Sequence, residues 1–183
     1  MSVIMADMVQ SVELLLDDEL DDAVRREWQL LFDAGLPSQA RHRGASNRPH
    51  VTLAVADDFT DLDARIGTLP VPLFPIRLGP LVVFRGRHAT LARLVIPSAE
   101  LLDAHTAVAS LVGTARGVRP HTAPGHWTPH VTLARRMTDD ELGSAIELLH
   151  SEPGILVGET SALRRWDGDG KVEWLVGHAA QNP

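Results

Sequence analysis

The sequence predicts an α+β fold, a single compact body of two lobes. Three observations predict it. Several segments place apolar residues at helical spacing behind capping residues. Others are strand-like runs separated by short turn sequences. One string, PHVTLA, occurs twice, from Pro49 and from Pro129, so two histidines 80 positions apart each open the same strand-like run. No linker-like stretch separates the halves that carry the copies.

The elements follow in order. Ser11–Leu16 (SVELLL) reads as a strand. A helix follows from Asp18 to Ala34, with Leu20, Val24, Trp28, Leu31 and Phe32 as its apolar stripe. Asp17 or Asp18 caps its start, and Gly35 with Pro37 ends it. Residues 38–48 form a polar, basic loop, HVTLAVA (50–56) a strand, and 57–69 a short helix. LFPIRLG, LVVFRG and ATLARLVI read as three strands, the last two a hairpin around Gly86–His88. Ser98 caps a helix carrying Leu101, Leu102, Val108, Leu111 and Val112. A Pro-, Gly- and His-rich loop, 116–129, leads into the second HVTLA strand. Thr138 to Glu141 is a capping box that opens a helix with Leu142, Ile146 and Leu149 inward. ILVGETSALRRW and KVEWLVGH close the chain as a hairpin across Asp167–Gly170. Residues 11–178 are expected to be one domain, between tails at 1–10 and 179–183.

Composition narrows the function classes. The chain has 183 residues, no cysteine and a formal net charge of −7. Thiolate metal sites are excluded, and non-specific coating of nucleic acid is disfavoured. No apolar run approaches the roughly 20 residues of a membrane span, and the N-terminus lacks a basic n-region. The expectation is a cytoplasmic monomer with no membrane or DNA partner. Charge distribution is more specific. No Asp or Glu lies in 34–56, 64–99 or 104–138, and those stretches hold both PHVTLA copies and twelve of the sixteen arginines. An anionic ligand favours that pattern, because carboxylates beside its site would repel it.

The duplicated strand carries the chemistry. Side chains alternate across a strand, so His50, Thr52 and Ala54 share one face, as do His130, Thr132 and Ala134. The opposite face, Val51 and Leu53 or Val131 and Leu133, is apolar and suited to a core. Two such strands side by side offer one cavity two imidazoles, two hydroxyls, and small alanines that leave room for a ligand. Cleavage of a phosphodiester without a metal needs one group to deprotonate the attacking oxygen and another to protonate the leaving oxygen. Histidine serves in either role near neutral pH, and threonine hydroxyls can donate to non-bridging phosphate oxygens.

The paired H-x-T-x motifs, His50-Val51-Thr52-Leu53 and His130-Val131-Thr132-Leu133, resemble the signature of the 2H phosphoesterases, the 2′-5′ RNA ligase-like superfamily. The resemblance spans about residues 11–178. It implies a bilobal fold of two antiparallel sheets around a central cleft with helices outside. It also implies metal-independent hydrolysis, without a cofactor, of 2′,3′-cyclic phosphates on RNA ends or small nucleotides. His50 is then the acid that protonates the leaving 3′ oxygen, and His130 the base that activates water, leaving a 2′-phosphate. Ala134-Arg135 is similar to the bacterial RNA 2′,3′-cyclic phosphodiesterase branch. Ala54-Val55-Ala56-Asp57, after the first motif, departs from the aromatic and glycine residues usual in that branch. The alternatives are a binding module that keeps the cleft without turnover, and an RNA ligase running the reaction in reverse.

Five further residues are candidates for substrate binding. Arg85 and Arg87 sit at a hairpin tip, and Arg136 returns to the catalytic face if alternation continues. His126 and Trp127 lie in the loop before the second motif, where Trp127 either stacks a base or packs as local core. A metal reading of His121, His126 and His130 is set aside, because Pro124, Gly125 and Pro129 preclude the helix that would align 126 with 130.

Overall fold

A computed structural model of the protein describes residues 10–44 and 46–176. The expected tails, apart from Gln10, and the end of the last strand-like run (177–178) lie outside the described residues. The elements run β1 (Gln10–Leu16), α1 (Asp18–Asp33), β2 (His50–Ala56), α2 (Asp63–Ile66), β3 (Pro75–Phe84), β4 (Ala89–Val95), α3 (Ala99–Val112), β5 (His130–Met137), α4 (Asp139–Leu149), β6 (Leu156–Asp167) and β7 (Val172–Val176). All strand pairings are antiparallel, in the order β2-β1-β6-β3-β4-β5, with β7 also on β6. The α+β architecture is as expected.

The two sheets of the expectation are joined. β6 pairs β3 through its first residues, Leu156 to Glu159, and β1 and β7 through its later ones. Each half-sheet ends on a motif strand, β2 at one end and β5 at the other. β2 nevertheless packs against β5, so the sheet curls and brings its two ends together. α1 packs on β6 and β5, and α3 packs on β2.

Local sequence explains most boundaries. The Asp17 side chain accepts from Leu20 N at 2.8 Å to start α1, and Gly35, at φ 76, follows the helix end in the left-handed region glycine tolerates. Ser98 caps α3, and Thr138 with Glu141 forms the expected capping box at α4. Two strand readings change. LFPIRLG and LVVFRG are one strand, β3, because Pro80 falls where the β3–β4 register shifts between Leu78 and Leu81; a proline is admitted at such an irregularity. The segment 57–69 holds a short 3-10 turn and the four-residue α2.

Ile146, expected inward, Phe32 of the α1 stripe and Leu102 among the apolar residues of α3 are exposed. Each lies at the margin of its helix stripe, where spacing alone does not separate core from rim. In their place α1 buries Glu27 and Asp21 beside Leu20, Val24, Trp28 and Leu31. Among the described residues no helix is long and apolar enough to cross a membrane.

Candidate active site

The two motif histidines are the first residues of β2 and β5, and each is held in the same way. The Nδ1 of His50 lies 2.6 Å from the Arg48 carbonyl, and the Nδ1 of His130 lies 2.7 Å from the Thr128 carbonyl. A carbonyl only accepts, so each Nδ1 carries its hydrogen and each Nε2 is left to exchange a proton. The proline between each histidine and its carbonyl acceptor, Pro49 or Pro129, is buried and keeps this approach extended.

The strands are tied across the lobes by two indoles. Trp28, on α1, donates to the Thr132 carbonyl at 3.0 Å, and Trp127 donates to the Thr52 carbonyl at 2.9 Å. Each tryptophan thus fixes the motif strand that its own half of the sequence does not contain. Trp127 also stacks on the buried His105, with ring centroids 3.9 Å apart and 5° between planes. One face of its ring is therefore covered from within. Alternation holds through the motifs: His50, Thr52, His130 and Thr132 are half-buried, while Val51, Leu53, Val131 and Leu133 are buried. Ala54 and Ala134 are themselves buried, so the open part of this face is the histidine and threonine.

Each imidazole has its own surroundings. The Phe84 ring packs on His130 at 4.5 Å. Burial is the main influence that holds His130 below the ordinary histidine range; the Thr128 hydrogen bond opposes it, and the positive charges of Arg135, His50 and His121 add to it. The two imidazoles open strands that pack against one another. His50 instead has Glu13 Oε1 at 3.6 Å from its Nε2, and Glu13 is bonded to Arg164.

The sequence profile of the 2′-5′ RNA ligase superfamily matches residues 16–170. The chain belongs to that superfamily. The match spans both motif strands and every described helix. Among solved structures, two of Usb1 from Kluyveromyces marxianus, one of them with uridine monophosphate, share the fold at TM-score 0.54, with 14% and 15% identity, covering 92% of this chain and 97% of theirs. A structure described as a phosphoesterase aligns at TM-score 0.52 and 16% identity, over 92% of this chain and 94% of that one. No curated protein matches the chain in sequence. The expected family and fold are thereby shown.

Within this superfamily fold the remaining candidates are spread more widely. Arg85 and Arg87 line a depression of about 310 Å³ with His88, Met137, Thr138 and Asp139, and neither motif histidine lines it. Arg85 lies 3.7 Å from Asp139. Arg135 and Arg136 are both exposed, opposite a break in the β4–β5 register, and Arg136 has φ 61. The parity argument that returned Arg136 to the catalytic face ends at this bulge. His126 is exposed in a turn, and His121 is the loop histidine whose charge reaches His130. Among the described residues no group of three or more His, Cys, Asp or Glu side chains is spaced to hold a metal ion.

Sequence reasoning missed Glu13, Arg164, Phe84 and His105. Glu13 lies outside the acid-free stretches and reaches the site only because β1 pairs with β2. The lowered proton affinity of His130 has a consequence for pH. If His130 is the base, it must be neutral, so the acid limb of kcat/KM should lie below the 6.5 of an ordinary histidine. Its burial also means that the unfolded chain takes up the proton first. His130, and His105 which is likewise lowered by burial, contribute stability above pH 6.5 that is lost as pH falls through their folded values. A pH–rate profile and melting curves from pH 5 to 8 measure both.

Proposed function

We propose that the protein is a metal-independent phosphodiesterase that hydrolyses 2′,3′-cyclic phosphates of RNA ends or small nucleotides to 2′-phosphates. The observation that carries this reading is the matched pair of imidazoles. Each opens a motif strand, each has its Nδ1 committed to a carbonyl two residues back, and the two strands pack against each other. That is the equipment for in-line displacement. His130 Nε2 takes a proton from water as the new O–P bond forms on one side of phosphorus. His50 Nε2–H gives a proton to the 3′ oxygen as its bond to phosphorus breaks on the other. The reaction leaves a 2′-phosphate and a free 3′ hydroxyl. His50 is then neutral and His130 charged, and exchange with solvent restores both.

In this reading the threonine hydroxyls at 52 and 132 donate to the non-bridging oxygens, where charge builds up. Superfamily membership supports phosphoester chemistry, and a structural relative solved with uridine monophosphate supports a nucleotide as ligand. Both halves of the proton transfer are assigned to histidines, so no step needs a divalent ion. Arg136, Arg85, Arg87, His126 and Trp127 remain candidates for contacts to the rest of the substrate, and the protein is expected to work as a cytoplasmic monomer.

A panel of cyclic and linear phosphodiesters, incubated with the purified protein in excess EDTA and read by phosphorus NMR, tests the proposal. Cyclic phosphates should convert to a single monoester, the 2′-phosphate. Loss of turnover in EDTA that a divalent ion restores would overturn the metal-independent reading, and a 3′-phosphate would overturn the regiochemistry.

A further inference from the structure

The two motif strands are near-copies, but their neighbours are not. On β1 the residues opposite His50 and Thr52 are Leu15 and Glu13. On β4 the residues opposite His130 and Thr132 are Leu94 and Ala92. The leucines correspond. At the other position one lobe has a carboxylate and the other a methyl group.

Glu13 is only 4% exposed, and a buried carboxylate persists only with partners. Arg164, its neighbour on β6, donates from Nε at 2.8 Å and from a terminal nitrogen at 2.5 Å. The Ser11 hydroxyl donates to Oε1 at 2.6 Å, and the same oxygen faces Nε2 of His50 at 3.6 Å. Burial is the largest influence on Glu13 and opposes its charge. The charges of His50 and Arg164 and the hydrogen bonds of Ser11 and Arg164 together outweigh it, and hold the carboxyl below its usual range.

The charges around His50 can be counted. Glu13 faces it from β1 and Arg164 from β6, the latter 3.4 Å from its Nδ1. Arg164 also binds Glu173 of β7 at 2.7 Å. His130 opens β5, the strand that packs against β2. Arg48, on the approach to β2, sends its own guanidinium towards Asp21, 3.9 Å away. Two carboxylates thus share one guanidinium, and the cluster is balanced when His50 supplies the second positive charge. The groups that act on His130 are histidines and an arginine, with no carboxylate among them.

We propose that Glu13, clamped by Arg164, is a positioning residue that keeps the proton on His50, so that one cross-strand position, Glu13 against Ala92, makes His50 the acid and His130 the base. This rests on the reading that the two histidines divide the proton transfers. It supplies from the structure the distinction that the motifs themselves, being alike, do not contain. Glu13 acts through His50 and touches no substrate. Its negative charge in a phosphate site is offset by Arg164.

Glu13→Gln tests this, because it removes the charge and keeps the shape: with its amide oxygen towards Arg164 it still accepts from that side chain, and its NH2 group then donates to the Ser11 hydroxyl. On a 2′,3′-cyclic phosphate, kcat should fall and its alkaline limb should move to lower pH by about one unit or more, as expected when an adjacent opposite charge is lost. KM should not rise, since a carboxylate near a phosphate does not aid binding. On a nitrophenyl phosphodiester, whose leaving oxygen needs no proton, the variant should match the wild type. NMR of the imidazoles needs no turnover: on going from the wild type to Glu13→Gln the response of the His50 ring to pH should change, and that of the His130 ring should not. Should Glu13→Gln fold poorly, Glu13→Asp, which keeps the charge for Arg164 but withdraws it from His50, should show the same changes in smaller measure. Unchanged titrations, or an equal loss on both substrates with the alkaline limb in place, would overturn the proposal. A wild type that hydrolyses no phosphodiester but whose imidazoles still respond to Glu13 would refute the enzymatic reading and leave the charge clamp standing.

Discussion

His50→Ala and His130→Ala should each lower kcat on a 2′,3′-cyclic phosphate by roughly 10²–10⁴-fold, the usual contribution of a positioned acid or base, while KM changes little. Both imidazoles sit at strand starts and are half-buried, and their ring nitrogens bond to main-chain carbonyls two residues back. Replacing either removes a proton carrier without opening the core. The two losses should not multiply in the double variant, because the histidines act on one event. Steady-state kinetics on three purified variants check this. Wild-type turnover by either single variant would remove that histidine from the chemistry.

Arg93→Ala should cost about 3–5 kcal/mol of folding stability, the range for breaking a buried ion pair from one side. Arg93 is 2% and Glu27 1% exposed. The Arg93 Nε lies 3.0 and 2.9 Å from the two Glu27 oxygens. Its terminal nitrogens donate to the carbonyls of Gly79 at 3.0 Å, Pro153 at 2.9 Å and Gly154 at 3.3 Å. One guanidinium therefore joins α1 to β4, β3 and the turn before β6. Removing it leaves the buried Glu27 carboxylate without its cation and takes a donor from each of three carbonyls. Arg93→Met with Glu27→Leu, which removes both charges and keeps the volume, should recover much of the loss. Urea unfolding of the three proteins measures it, and a single-variant loss under about 1 kcal/mol, the scale of an exposed pair, would contradict this account.

What the sequence shows and what it conceals divide along one line. HVTLAVA at 50–56, the hairpin at Gly86–His88, the cap at Ser98 and the capping box at Thr138 are local signals, and the structure has each of them where the spacing put it. The catalytic candidates were visible because a histidine and a threonine two residues apart were repeated. Glu13 with Arg164 and Glu27 with Arg93 pair residues 151 and 66 positions apart. Each member alone looks like an ordinary solvated charge, and only the curl of the sheet and the docking of α1 reveal the partner. Glu27 even falls inside a helix whose apolar stripe had been read correctly at Leu20, Val24, Trp28 and Leu31. Strand parity failed at Arg135 and Arg136 because a bulge has no sequence period. Helix spacing does not mark Phe32, Leu102 and Ile146 as exposed, because neighbouring elements, absent from any periodicity, decide which rim residues are covered.

The central claim is that His50 and His130 serve one phosphate from opposite sides, as acid and base. Comparing His50→Ala and His130→Ala on two phosphodiesters, one with a ribose leaving oxygen and one with a nitrophenolate, tests it most directly. His50→Ala should recover most of its activity on the nitrophenyl substrate, where departure needs no proton, and His130→Ala should stay as impaired as on the ribose ester. Equal rescue of both variants, or of neither, would contradict the division of roles.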